Sequence, residues 1–201
     1  MEYTIHQMDS LSEWENVEYI SVNNYPWGGS YRPNVTAKAI LVRGQYFAVR
    51  MECEESSPRA VYTENNSNIY EDSCMECFIN FKPLLEGSGY INLEANANGA
   101  LFSGYGECSI DRVLLCDRNL IEPPVTALVY PNRWSCDFII PLSLIEQIYG
   151  NARFETGDIL KGNFFKCGDK TETAHYATWA PNGNPSPAFH MPQNFGKLII
   201  G

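Results

Sequence analysis

YINLEANANGALFSGYG, residues Tyr90 to Gly106, is the stretch on which the fold turns. Ile91, Leu93, Ala95 and Ala97 alternate with Tyr90, Asn92, Glu94 and Asn96. That period of two is a strand with one apolar and one polar face. Asn98-Gly99 follows, and ALFSGYG then runs on as a second strand-like segment. Asn-Gly between two such runs is a strong hairpin signal, because both residues tolerate positive φ.

The same logic extends in both directions. Upstream, Ser73 to Phe81 reads SCMECFINF, with Met75, Cys77, Ile79 and Phe81 on one face and Cys74, Glu76, Phe78 and Asn80 on the other. Thr36 to Arg43 and Gln45 to Glu52 flank Gly44 as a further hairpin. Val125 to Tyr130 and Arg133 to Ile140 are joined by Pro131-Asn132, and Leu198 to Ile200 closes a sheet at the end of the chain. Only PLSLIEQIYG has helical periodicity, with Pro141 at its entry and Gly150 at its exit. Many strands, one short helix and no βαβ rhythm predict an all-β fold, an antiparallel β-sandwich of jelly-roll type, formed by residues 1–201 as one domain. The irregular stretches 54–68 and 182–194 are long loops, where binding residues concentrate.

Composition narrows the function classes. Of 201 residues, 44% are hydrophobic, enough for a sizeable core. A formal net charge of −10 with 14 Lys+Arg and no basic cluster argues against nucleic acid and against an anionic membrane surface. The N-terminus has neither a basic start nor an apolar run, so a cytoplasmic protein is expected, or a secreted one if a leader has been removed. The seven cysteines are an odd number without repeated spacing and are expected to be free thiols. Cys74 and Cys77 have CxxC spacing, but residues three apart on a strand face opposite ways, so neither a disulfide nor zinc is expected there. His6, His175 and His190 lack zinc-ligand spacing with the cysteines.

The polar face formed by Glu76 and Asn80 with Tyr90, Asn92, Glu94 and Asn96 contains carboxylates, amides and a phenol, and no lysine. Such groups both donate to and accept from vicinal hydroxyls. A plain solvated sheet face is the alternative. In the closing region, NFFKCGDKTETAHYATW offers Lys166, Cys167, Asp169 and His175. A nucleophilic cysteine would need a histidine within reach; otherwise Cys167 is core, Lys166 and Asp169 pair at a turn, or Lys166 and His175 donate into a pocket. Glu76 and Glu94 on one face could form the acid–base pair of a glycoside hydrolase.

Three segments in order resemble the family 9 carbohydrate-binding modules, above all the free-standing bacterial family 9-like proteins. They are IYEDSCMECF (Ile69–Phe78), YINLEANANG (Tyr90–Gly99), and NFFKCGD, HYATWAP and FHMPQNFGKLII from Asn163 to the C-terminus. The resemblance implies a β-sandwich that binds a mono- or oligosaccharide between two aromatic rings, without catalysis, in the service of glycan breakdown. The family's two stacking tryptophans fall on Tyr70 and Phe189, and its acidic ligand residue on Glu76. Its basic ligand residue falls near Tyr90, where this sequence has no charge. Trp179 matches a tryptophan expected to pack in the fold. Asn92, Glu94, Lys166, His175 and His190 complete the expected ligand set. No cofactor or catalytic residue is implied. A structural calcium would have Glu54, Glu55, Glu71 and Asp72 as candidate ligands.

Overall fold

The computed structural model describes residues 1–201. In chain order its elements are β1 (Glu2–Met8), β2 (Ile20–Ser21), β3 (Asn24–Gly28), β4 (Val35–Val42), β5 (Tyr46–Cys53), β6 (Cys74–Asn80), β7 (Tyr90–Asn96), β8 (Leu101–Gly106), β9 (Val113–Leu114), β10 (Val125–Tyr130), β11 (Arg133–Pro141), α1 (Leu142–Tyr149), β12 (Ile159–Cys167), β13 (His175–Thr178) and β14 (Gly196–Ile200). The strands follow the order β10-β11-β5-β4-β1-β14-β12-β6-β7-β8-β9, curled so that the two halves pack face to face as a sandwich.

The expected hairpins form. Asn98-Gly99 joins β7 to β8, with Gly99 at φ +80°, a conformation L side chains rarely adopt. The β4–β5 hairpin turns around Gly44, and Tyr130 pairs with Arg133 across Pro131-Asn132. The helix α1 ends at Gly150, which is left-handed and donates its N–H to the Glu146 carbonyl. No helix is long and apolar enough to cross a membrane.

One feature departs from an all-antiparallel sandwich. β1 pairs in parallel on both sides: Glu2–Ile5 with Lys197–Ile200 of β14, and His6–Met8 with Ile40–Val42 of β4. No hairpin links β1 to either neighbour, so no turn forces antiparallel pairing, and the strand passes from one half of the sandwich to the other along its length.

The core lies between the halves. Ala37, Ala39 and Leu41 of β4, Phe47, Val49 and Met51 of β5, and Trp134, Cys136 and Phe138 of β11 face Met75, Cys77 and Ile79 of β6 and Ile91 and Leu93 of β7. Cys77 points into this core and Cys74 into a separate cluster with Ile69, Ala100 and Cys167 on the other face. All seven cysteines are free.

Candidate functional site

The outer face of β6, β7 and β12 is not a solvated surface. Glu76, Asn92 and Glu94 are buried on it, and so are Phe78, Tyr90 and Phe165. The segment 182–195 crosses over this face and closes it. Phe78, Tyr90, Phe165 and Phe195 fill one end as an aromatic cluster. At the other end the cover stops short and leaves a cavity of about 280 Å³. Tyr70, Glu76, Glu94 and Arg112 line it together with Cys167, Asp169, Tyr176 and the Pro187–His190 stretch.

Glu76 and Glu94 are direct cross-strand partners on its floor. The Cys167 thiol lies 3.0 Å from Glu76 Oε1 and 3.4 Å from the Tyr70 carbonyl. Burial pushes the Glu76 carboxyl well above the usual carboxylate range, with Cys167 and Glu94 adding to the rise. Glu94 is also raised by burial, against the pull of Arg112, whose Nη1 lies 3.3 Å from its Oε1.

Arg112 is the positive charge that the sequence lacks near Tyr90. It reaches the site from the turn before β9, donating to Asn92 Oδ1 and to His190 Nε2 at 2.9 Å. Its side chain crosses β8 over Gly104, where a Cβ would stand 3.1 Å from Arg112 Cγ and Cδ and crowd that passage. Because the guanidinium has only donors, His190 Nε2 accepts, and the Nδ1–H is left to donate to Tyr90 Oη at 2.7 Å. His190 is thus held neutral, its pKa pushed down to about 3 by burial and by Arg112.

The aromatic positions lie at the opening. Tyr70 sits in the single turn Ile69–Glu71, anchored by buried Ile69 and by backbone bonds from Asp169 N to Tyr70 O and Lys170 N to Glu71 O. Its side chain is exposed. Phe189 lies parallel to Phe165, centroids 4.3 Å apart. Tyr176 meets Phe189 edge to face and lines the cavity beside Asp169, whose carboxyl is raised by burial.

Of the expected ligand set, Tyr70, Glu76, Glu94, Phe189 and His190 line the cavity, whereas Tyr90, Asn92, Lys166 and His175 do not. Tyr90 and Asn92 support it from behind, through His190 and Arg112. Lys166 and His175 correct the expectation of pocket donors. Lys166 stands opposite Met75 on the core face of β12, as strand alternation requires, and is fully buried. There Lys166 Nζ donates to His175 Nε2 at 2.7 Å and faces Glu55 Oε2 at 3.7 Å. Burial first, then Lys166, pushes the His175 pKa down to about 4. Cys167 therefore meets Glu76 instead of His175, and Lys166 pairs with Glu55 instead of Asp169.

The candidate calcium ligands do not gather into one site. Glu55 faces Lys166, Glu71 is bridged by Lys170 at 2.9 Å, and Asp72 faces Arg59 at 3.3 Å. Asp72 also accepts from the Val61 and Tyr62 N–H groups and from Asn96, tying the loop before β6 to β7. Glu55, Glu71 and Asp72 are each turned toward a basic side chain of the protein, which does not fit a calcium cage.

Sequence reasoning missed Arg112, Tyr176 and Pro187 as residues of the cavity lining. Arg112 lies in an irregular stretch with no motif of its own. Tyr176 was legible in principle, since it alternates with His175 and Ala177 and so faces away from the core.

Comparison with known proteins bears on this geometry. A search of curated proteins finds no significant match. Among solved structures, a candidate carbohydrate-binding protein of Bacteroides uniformis superposes with a TM-score of 0.83 at 23% identity, covering 100% of this chain and 99% of that one. A family 9 carbohydrate-binding module of Caldicellulosiruptor kristjanssonii in complex with glucose gives 0.73 at 14%, covering 100% and 96%. Its complex with cellotriose gives 0.73 at 13%, covering 100% and 93%. At these identities the likeness is one of fold. The sequence itself matches the model of carbohydrate-binding family 9 over residues 6–200, and the chain belongs to that family.

Proposed function

We propose that this protein binds a saccharide in the cavity between Tyr70 and Phe189 without altering it, as part of glycan utilisation. The observation that carries this is the pairing, in one small cavity, of aromatic side chains at the opening with fixed polar groups on the floor. The C–H face of a pyranose is apolar and stacks on an aromatic ring, while its hydroxyl rim needs placed donors and acceptors. Glu76, Glu94 and Arg112 supply both kinds, and their hydrogen bonds to Cys167, Asn92 and His190 fix them before a ligand arrives. The glucose and cellotriose complexes of the family 9 module with the same fold support this class of ligand. A glycan array followed by calorimetric titration of the hits tests it: binding to no saccharide would leave a domain with a vestigial pocket.

A hydrolytic reading would give Glu76 and Glu94 the acid and base roles. Binding is favoured instead because the family to which the chain belongs is a carbohydrate-binding one and Glu94 is already held by Asn92 and Arg112. Turnover of aryl glycosides that is lost in Glu76→Gln would reverse this assignment.

A further inference from the structure

The charges of the cavity do not balance. Three carboxyls line it, Glu76, Glu94 and Asp169, against one cationic side chain, Arg112. Arg112 meets Glu94, Asn92 and His190, all through Nη1. Neither Glu76 nor Asp169 takes part in an ion pair. The Glu76 side chain is 2% exposed, yet its only protein hydrogen-bond partner is the Cys167 thiol, on Oε1. Oε2 has no partner in the protein and is not sealed from solvent, so the little surface Glu76 retains belongs to the cavity. His190 is locked as a neutral ring and adds no charge.

Burial without an ion-pair partner penalises the charged form of Glu76 and raises its carboxyl in the empty protein. A ligand that brings a positive charge would remove the penalty and gain a charge-assisted hydrogen bond. One that brings a carboxylate, sulfate or phosphate would meet Glu76, Glu94 and Asp169 against a single guanidinium that already pairs with Glu94. Lys170, the nearest basic residue in sequence, is held by Glu71 outside the cavity lining.

Resting on the saccharide reading above, we infer that the preferred ligand is an amino sugar, its protonated amine directed at the free oxygen of Glu76, with Asp169 drawing the cation in at the mouth. The site thereby selects against uronic acids and anionic sugar esters.

The test is calorimetric titration with glucosamine, glucose, N-acetylglucosamine and glucuronate at about pH 6.5, below the usual range of an α-amine. Glucosamine is expected to bind about tenfold or more tightly than glucose, N-acetylglucosamine to show no such gain, and glucuronate to fall below glucose. The glucosamine-to-glucose ratio is expected to collapse toward one in Glu76→Gln and to shrink in Asp169→Asn, with circular dichroism confirming that both variants are folded. If glucose binds and glucosamine binds no better, the cation preference is overturned while the saccharide reading stands. Binding of none of the four, with an empty glycan array, overturns both. A ratio unchanged in a folded Glu76→Gln would remove Glu76 from the role assigned here.

Discussion

Phe189 lies flat against Phe165, their ring planes 14° apart, so one face of the expected sugar platform is already covered by the fold. Trp27 and Tyr176 also pack around it. Tyr70 has no such partner and is 42% exposed. The two aromatics at the cavity mouth therefore differ in kind, one built into the cover and one free.

Tyr70→Ala is expected to cost about 2 kcal/mol of saccharide affinity, about thirtyfold, with little change in melting temperature. Phe189→Ala is expected to lose affinity and stability together, since it removes the stacking that holds the 182–195 segment down. Titration beside thermal melts separates the two. If Tyr70→Ala melts well below wild type, the tyrosine is structural.

Trp179 is buried against Phe164 in the main core, away from the cavity lining. Trp179→Ala is expected to destabilise by about 3–5 kcal/mol, as large core truncations do. The remaining folded fraction should bind saccharide like wild type. A variant that melts normally but no longer binds would make Trp179 a platform.

His190 and His175 fix the acid limb of stability. Each is neutral in the folded protein, with pKa pushed down to about 3 and about 4, against 6.5 when unfolded. Below pH 6.5 the unfolded chain binds protons that the folded one refuses, so this stability is complete above 6.5 and is lost as pH falls toward the folded values. Raised carboxyls such as Glu76 act with the opposite sign, losing stability as pH rises through their range. Melting temperature against pH should therefore fall less steeply below 6.5 in His190→Gln than in wild type. Parallel profiles would mean that His190 is charged in the fold.

The thiols give a further check. Titration of the denatured, non-reduced protein should find all seven cysteines free. In the native protein only Cys116, which is exposed, and Cys108, which is partly so, should react quickly with a maleimide, while the five buried thiols resist. Rapid labelling of Cys74 or Cys77 would show that the strand β6 opens.

What the sequence made legible follows the reach of its signals. Alternation in Tyr90–Ala97 and the Asn98-Gly99 turn are local, and they gave β7, β8 and their shared face correctly. Strand parity also held the answer for Lys166, which shares a face with Phe164 and hence with the core, although its charge invited the opposite assignment. The cover over the polar face was not legible. Residues 182–195 have no period, and their position is set by contacts such as His190 with Tyr90, 100 residues apart in the chain. Arg112 is a similar case, because its path runs over Gly104 on another strand, where a Cβ would crowd it.

The position of β1 bears on how the chain is made. The second residue pairs with Lys197, an ion pair spanning 195 positions, and β1 is the only link between β4 and β14. During vectorial synthesis the two halves of the sandwich can each form hairpins early, yet the seam between them must wait until β14 has left the ribosome. Contacts of such long sequence separation slow folding and leave unpaired edges open meanwhile. A chain cut before β14 would have every hairpin and no closure, and aggregation of nascent or truncated product is the expected failure of this architecture.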